Sequence, residues 1–167
     1  MGNDKQAHSA DRAGHIATGL SGGVITVTSA EEMFNLGQSI SAHLKAGDLL
    51  LINGPLGAGK TVLAQGIGKG LGITDITSPT FVISRTHAGA IPMIHVDAYR
   101  LIDTDNPNLY LDDLDLDTEN SVTVVEWGGS ESARLNEDRL EITIDRTTEI
   151  RHVEIKAIGA RWNGFVL

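Results

Sequence analysis

Leu49-Leu50-Leu51-Ile52 leads through Asn53 into Gly54-Pro55-Leu56-Gly57-Ala58-Gly59-Lys60-Thr61, and this junction decides how the chain is read. The apolar run has the length of a strand and no polar alternation, as expected for a strand buried on both faces. The eight residues after it match G-x-x-x-x-G-K-[ST], the pattern of a loop that turns backbone amides inward to make a nest for phosphate oxygens. Lys60 supplies a positive charge to the β- and γ-phosphates of a nucleotide, and the Thr61 hydroxyl is a hard oxygen suited to magnesium. Beyond the loop, Val62, Leu63, Ile67 and Leu71 predict a helix ending among Gly70 and Gly72, whose positive end adds to the anion site. A glycine-rich turn with an incidental lysine is the alternative. The pattern arises by chance in roughly one chain per hundred, and the flanking strand and helix make that reading weaker still. No G-x-G-x-x-G opens a helix, which argues against a dinucleotide site.

Working outward, Val24 to Thr28 is a short β-branched strand, followed by Ser29-Ala30-Glu31-Glu32, a capping box that starts a helix. Met33, Leu36, Ile40 and Leu44 share one face of that helix, and Gly47 is placed to end it. Downstream, Phe81 to Thr86 and Met93 to Asp97 predict a hairpin around His87-Ala88-Gly89-Ala90. Seven acids fall between Asp103 and Glu119, and no basic residue occurs from Leu101 to Val125. Short surface helices and loops are expected there, with the acids as a solvated face. Ser121 to Glu126 is a further apolar strand, and Arg139 to Ile144 with Arg151 to Ile158 form a closing pair. Three segments result: a flexible extension over residues 1–23, a domain over 24–158 and a C-terminal tail over 159–167.

The bulk properties agree with a globular domain. The chain is 167 residues long with 41% hydrophobic residues, enough to bury one core. No apolar run reaches the length of a membrane span, and the N-terminus lacks the pattern of a secretory signal. Met1-Gly2 opens the chain, but Gln6 breaks the myristoylation pattern. The absence of cysteine excludes disulfides and thiolate chemistry and agrees with a reducing, cytoplasmic setting. A net charge of −9 repels nucleic-acid backbones, so any contact with RNA falls mainly to a partner; acidity also simply keeps a protein in solution.

A phosphoryl-transfer site needs an acid for the metal and a group that positions the attacking oxygen. Glu126 ends the strand Val122-Thr123-Val124-Val125, which puts it at the carboxyl edge beside the phosphate loop. Asp97 ends its own strand the same way; it orients a water, holds magnesium through one, or is a solvated turn residue. Trp127 either packs near the nucleotide or covers the sheet. Ser78-Pro79-Thr80 offers a hydroxyl that could sense the γ-phosphate, although the same residues are ordinary turn chemistry. His95 reads as a core or surface histidine and is assigned no metal.

Four stretches taken in order, Leu56-Gly57-Ala58-Gly59-Lys60-Thr61, Ser78-Pro79-Thr80-Phe81, His95-Val96-Asp97-Ala98-Tyr99-Arg100-Leu101 and Val125-Glu126-Trp127, resemble the TsaE (YjeE-like) family over about Val24 to Ala157. These are the bacterial ATPases of transfer-RNA threonylcarbamoyladenosine synthesis. The resemblance implies an α/β P-loop NTPase fold of three layers, with a central mixed sheet flanked by helices. It implies slow ATP hydrolysis with magnesium, and TsaB-like and TsaD-like partners. TsaD transfers the threonylcarbamoyl group to adenosine 37 of tRNAs reading codons that begin with A, and the ATPase is thought to reset that complex, touching tRNA mainly through its partners. Residue by residue, it gives Leu56 to Thr61 the nucleotide, Lys60, Asp97 and Glu126 catalytic roles, and Thr61 and Glu126 the metal. Thr80 and Trp127 would lie near the nucleotide, with further contacts at Ala30, within Ser29 to Glu31, and at Arg151. Two departures stand out. Pro55 replaces the family's usual acid and removes an amide, and Gly128-Gly129 replaces a frequent proline and predicts a looser turn. Other classes remain: a small-molecule kinase, although the stretch between Arg100 and Arg134 lacks the basic lid such enzymes close, or a binding module that uses ATP only to hold a shape.

Overall fold

A computed structural model describes residues 23–77, 79 and 83–167. Of the positions singled out above, Ser78, Thr80 and Phe81 and the extension up to residue 22 lie outside the described residues. The order of elements is β1 (Val24–Val27), α1 (Ala30–Ser41), β2 (Leu49–Asn53), α2 (Lys60–Gly70), β3 (Ser84–His87), β4 (Met93–Asp97), α3 (Pro107–Asp113), β5 (Val122–Glu126), α4 (Ser130–Ala133), β6 (Arg139–Asp145) and β7 (Arg151–Ile158).

The strands form one seven-stranded sheet in the order β1-β7-β6-β2-β5-β4-β3. Its centre, β6-β2-β5-β4, is parallel, while β3, β7 and β1 add on antiparallel. The sheet is therefore mixed, and β2 lies in the middle with its phosphate loop at the carboxyl edge. Leu50 and Ile52 point to the face covered by α1 and α2, with Ile40, Leu63 and Ile67. Leu49 and Leu51 point to the other, with Leu101, Leu111 and Val125. Alternate residues of one strand thus feed two cores, which is why β2 reads as uninterrupted hydrophobic sequence.

Helix α1 begins at the capping box. Ser29 Oγ accepts from Glu32 N at 3.1 Å, and Glu32 Oε2 accepts from the Thr28 amide at 2.6 Å and the Thr28 hydroxyl at 2.9 Å. Those two bonds hold the Glu32 carboxyl below its ordinary value, more than slight burial raises it. The helix stops at Ser41, before Gly47. Asp48 accepts from Lys45 N at 2.8 Å, so the intervening residues make turns of their own. Gly47, at φ +93°, reverses the chain into β2.

The hairpin is present, but pairing extends to His87 opposite Met93, one residue into the predicted connection. Among the described residues its first strand starts at Ser84. The last nine residues, expected as a tail, fold back. Trp162 is 4% exposed within the core, with Phe165 and Leu167 packed against it, and Arg161 reaches both Asp48 carboxylate oxygens at 3.0 and 2.9 Å. Apolar area on Trp162 and Phe165 drives this return, and the Arg161–Asp48 pair fixes its position.

Candidate nucleotide site

The loop from Gly54 to Thr61 takes the conformation its glycines permit. Gly57 and Gly59 stand at φ +76° and +106°, where a β-carbon is strained. Gly59 is the N-cap of α2, and the Met33 side chain of α1 lies beneath it, 3.4 Å from where a methyl group would sit. The lysine of the motif is buried. Lys60 Nζ donates to the carbonyls of Gly54 at 2.8 Å and Pro55 at 2.9 Å. Pro55 therefore fits: at this position the loop uses the carbonyl, which also accepts from Ala58 N at 3.1 Å, and the missing amide breaks neither bond. Burial pushes the Lys60 ammonium below its ordinary value, while the Glu126 and Asp97 carboxylates pull it back up.

Register explains why those two acids arrive together. In the parallel pair β4–β5, Asp97 stands opposite Glu126, and Ala98 N continues the ladder to Glu126 O at 2.9 Å. Glu126 is buried and accepts from the Thr61 hydroxyl, 3.1 and 3.3 Å from its two oxygens. Its Oε1 also meets His95 Nε2 at 2.7 Å. An ionised carboxylate can only accept, so the hydrogen sits on Nε2, and the buried Nδ1 has no partner among the described residues. His95 is fully buried, as a core histidine is, but its bond to Glu126 is a contact that sequence reasoning missed. The signal was its place two residues before Asp97 in an otherwise apolar strand, where its side chain shares Asp97's face of the sheet.

Asp97 is half-buried, and its Oδ1 accepts from Tyr99 N at 3.0 Å. Trp127 has φ +62°, a conformation bulky residues rarely adopt. Its amide bonds to Ile52 O at 2.9 Å, and the turn lays its ring over Lys60, 4.0 Å from Nζ to the centroid, with Tyr99 on its flank at 5.0 Å. The turn after it is tight rather than loose. A methyl group at Gly128 would come within 3.0 Å of Leu51 Cδ2, and Gly129 N closes on Trp127 O at 3.0 Å.

Not every expected contact residue joins this cluster. Leu56, at the tip of the loop, is 84% exposed. Ala30 begins α1, and Arg151 begins β7 opposite Val27. Both stand at the sheet edge that carries the loop, but Arg151 Nη1 bonds the Glu149 carbonyl at 3.0 Å instead of reaching the loop. Beside Trp127 opens a cleft of about 450 Å³ lined by Asn53, Ala98, Leu101, Ser130 and Glu131 among others.

The oxygens present fit a hard divalent cation. A threonine hydroxyl and a carboxylate face each other at hydrogen-bond distance beside a buried ammonium, the donor set magnesium takes when nucleotide phosphates supply the rest.

Comparison with known proteins agrees with this architecture. The family model described as threonylcarbamoyl adenosine biosynthesis protein TsaE matches residues 27–153. The tRNA threonylcarbamoyladenosine biosynthesis protein TsaE of Streptomyces coelicolor is 46% identical over 141 residues, 78% of this chain and 93% of that protein. The protein of the same name from Bacillus subtilis is 37% identical over 138 residues, 79% and 84% of the two chains. The crystal structure of Bacillus subtilis YdiB superposes with a TM-score of 0.69 at 30% identity, covering 85% of this chain and 89% of that one. The fold is that of the P-loop NTPases, and the chain belongs to the TsaE family.

Proposed function

We propose that this protein binds ATP with magnesium, hydrolyses it slowly, and uses that hydrolysis to reset a TsaB–TsaD-like complex that makes threonylcarbamoyladenosine at position 37 of tRNAs reading codons beginning with A. The observation that carries the reading is the convergence of Lys60, Thr61 and Glu126 at the end of β2, β5 and the start of α2. Loop amides and Lys60 hold the β- and γ-phosphates. Thr61 and Glu126 hold magnesium, which when bound neutralises charge on the phosphate oxygens. His95 keeps Glu126 turned toward Thr61. Asp97 orients a water whose oxygen attacks the γ-phosphorus; the bond from that phosphorus to the bridging oxygen breaks, and ADP and phosphate leave. Trp127 keeps water from Lys60, and Ala30 and Arg151 bind the remainder of the nucleotide at the same edge.

A partner is supported by exposed apolar side chains beside the site. Tyr99, Ile102, Leu109 and Tyr110 are exposed on the segment that also carries the run of seven acids from Asp103 to Glu119. The net charge of −9 favours leaving tRNA to the partners. The test is reconstituted threonylcarbamoyladenosine formation with purified TsaB, TsaD, tRNA and precursor. Many turnovers with this protein and ATP, and about one per TsaD without it or with Glu126→Gln, would support the reading. Equal turnover with and without the protein would contradict it.

A further inference from the structure

Strand β6 flanks β2 on the side away from β5 and β4, and it outlasts β2. Asn53, the last residue of β2, pairs with Thr143, so the residues after it run alongside the phosphate loop. A methyl group on Gly54 would come within 2.7 Å of the Ile144 carbonyl, and one on Gly57 within 2.5 Å of Arg146 Nη1 and 3.7 Å of its Cζ. The guanidinium of Arg146 therefore lies directly on the loop at Gly57, where any larger residue would push it away. Arg146 is exposed, and no hydrogen bond or ion pair holds it among the described residues. Although acids outnumber bases 22 to 13, no carboxylate pairs with it among the described residues, as carboxylates do with Arg134, Arg139 and Arg161. The carboxylates of the site, Glu126 and Asp97, come from β5 and β4 on the opposite flank of β2. Metal-binding oxygens thus stand on one side of the loop and an unpaired cation on the other.

We propose that Arg146 is a nucleotide-binding residue that contacts the α- and β-phosphates from the β6 flank, a role that rests on the nucleotide reading above. The planar fork of a guanidinium matches phosphate oxygens bidentately, and its position away from Glu126 and Asp97 assigns it to the diphosphate shared by ATP and ADP. Glycine at position 57 suits the positive φ of the loop and leaves the guanidinium its place there.

The test is titration of the full-length protein with MgATP and with ADP, for wild type, Arg146→Ala and Arg146→Lys, together with turnover at saturating ATP. Arg146→Ala should raise Kd for both nucleotides by about tenfold, as expected for the loss of one charged hydrogen-bonding contact. Turnover at saturation should stay within about threefold, because the metal flank is untouched. Arg146→Lys should recover part of the affinity, and raising the salt concentration should weaken wild type more than Arg146→Ala. A residue that merely braced the loop would change the melting temperature without that difference in salt response. Unchanged Kd for both nucleotides in Arg146→Ala, with normal binding by wild type, would overturn the role of Arg146 alone, as would a loss confined to ATP. No nucleotide binding by wild type would overturn this role and the nucleotide reading together.

Discussion

Glu126 is held by two donors of different kinds, and each makes a separable prediction. Thr61 reaches it from the helix that follows the loop, and His95 from the neighbouring strand at 2.7 Å. Losing the histidine leaves the carboxylate oriented by Thr61 alone. His95→Leu is expected to lower turnover at saturating ATP by about 10- to 100-fold, the cost of removing a partner of a metal-binding group if Glu126 holds magnesium as proposed. His95→Gln, which keeps a donor, should recover part of it; equal activity in wild type and His95→Leu would show that the bond does not position Glu126. Lys60→Ala should weaken nucleotide binding or turnover by at least about 100-fold, because no other buried cation stands at the loop among the described residues. Isothermal titration and a phosphate-release assay read both effects. Motif and strand-end position made Lys60, Thr61, Glu126 and Asp97 legible in the sequence. His95 and Arg146 were not legible, because their importance depends on which strands are neighbours. The spacing of two puts His95 on Asp97's face of its strand, but which carboxylate that face meets is decided by the neighbouring strand.

At the scale of elements, α2 carries the loop and is braced by α1 through glycine. A methyl group on Gly37 would collide with the Leu63 carbonyl, and one on Gly66 with the Phe34 carbonyl. Backbone thus meets backbone where the two helices cross, and no side-chain rotation relieves the clash. Gly66→Ala should destabilise by about 2–3 kcal/mol, measured by denaturant unfolding, and weaken nucleotide binding as α2 shifts. A neutral effect would mean that the helices separate at little cost. The starting cap is worth less: Ser29→Ala should cost about 1 kcal/mol. Strand β2, the limits of β4 and β7 and the start of α1 were readable from apolar runs and the capping box. Gly47 misled because glycine marks a turn without saying which one. The strand order was not readable either, since no pairing between distant strands is written in one segment.

Across the whole molecule, the chain end is part of the packing, and acid sensitivity has an identifiable source. Trp162 carries its apolar area into the core, yet its neighbours Arg161, Asn163 and Gly164 give no periodic signal, so its burial could not be read locally. His87 is buried beside β4. Burial, then electrostatic repulsion from neighbouring His95 and Arg85, pushes its pKa below 6.5, against a backbone contact with Asp75 that raises it. Between that lowered value and 6.5 the unfolded chain binds a proton that the folded chain refuses, so stability falls as pH drops below 6.5 and is unaffected above it. Melting temperature should therefore decline on acidification in that window, and His87→Gln should flatten the decline. An equal decline in the variant would place the acid sensitivity elsewhere.

Magnesium-dependent ATP turnover by the purified protein, alone and with TsaB and TsaD, tests the central claim most directly. The account requires slow turnover alone, faster turnover with the partners, and loss of both in Glu126→Gln. Tight ATP binding with no turnover in any of these mixtures would contradict it and leave a nucleotide-gated binding module, or a kinase awaiting its acceptor, in its place.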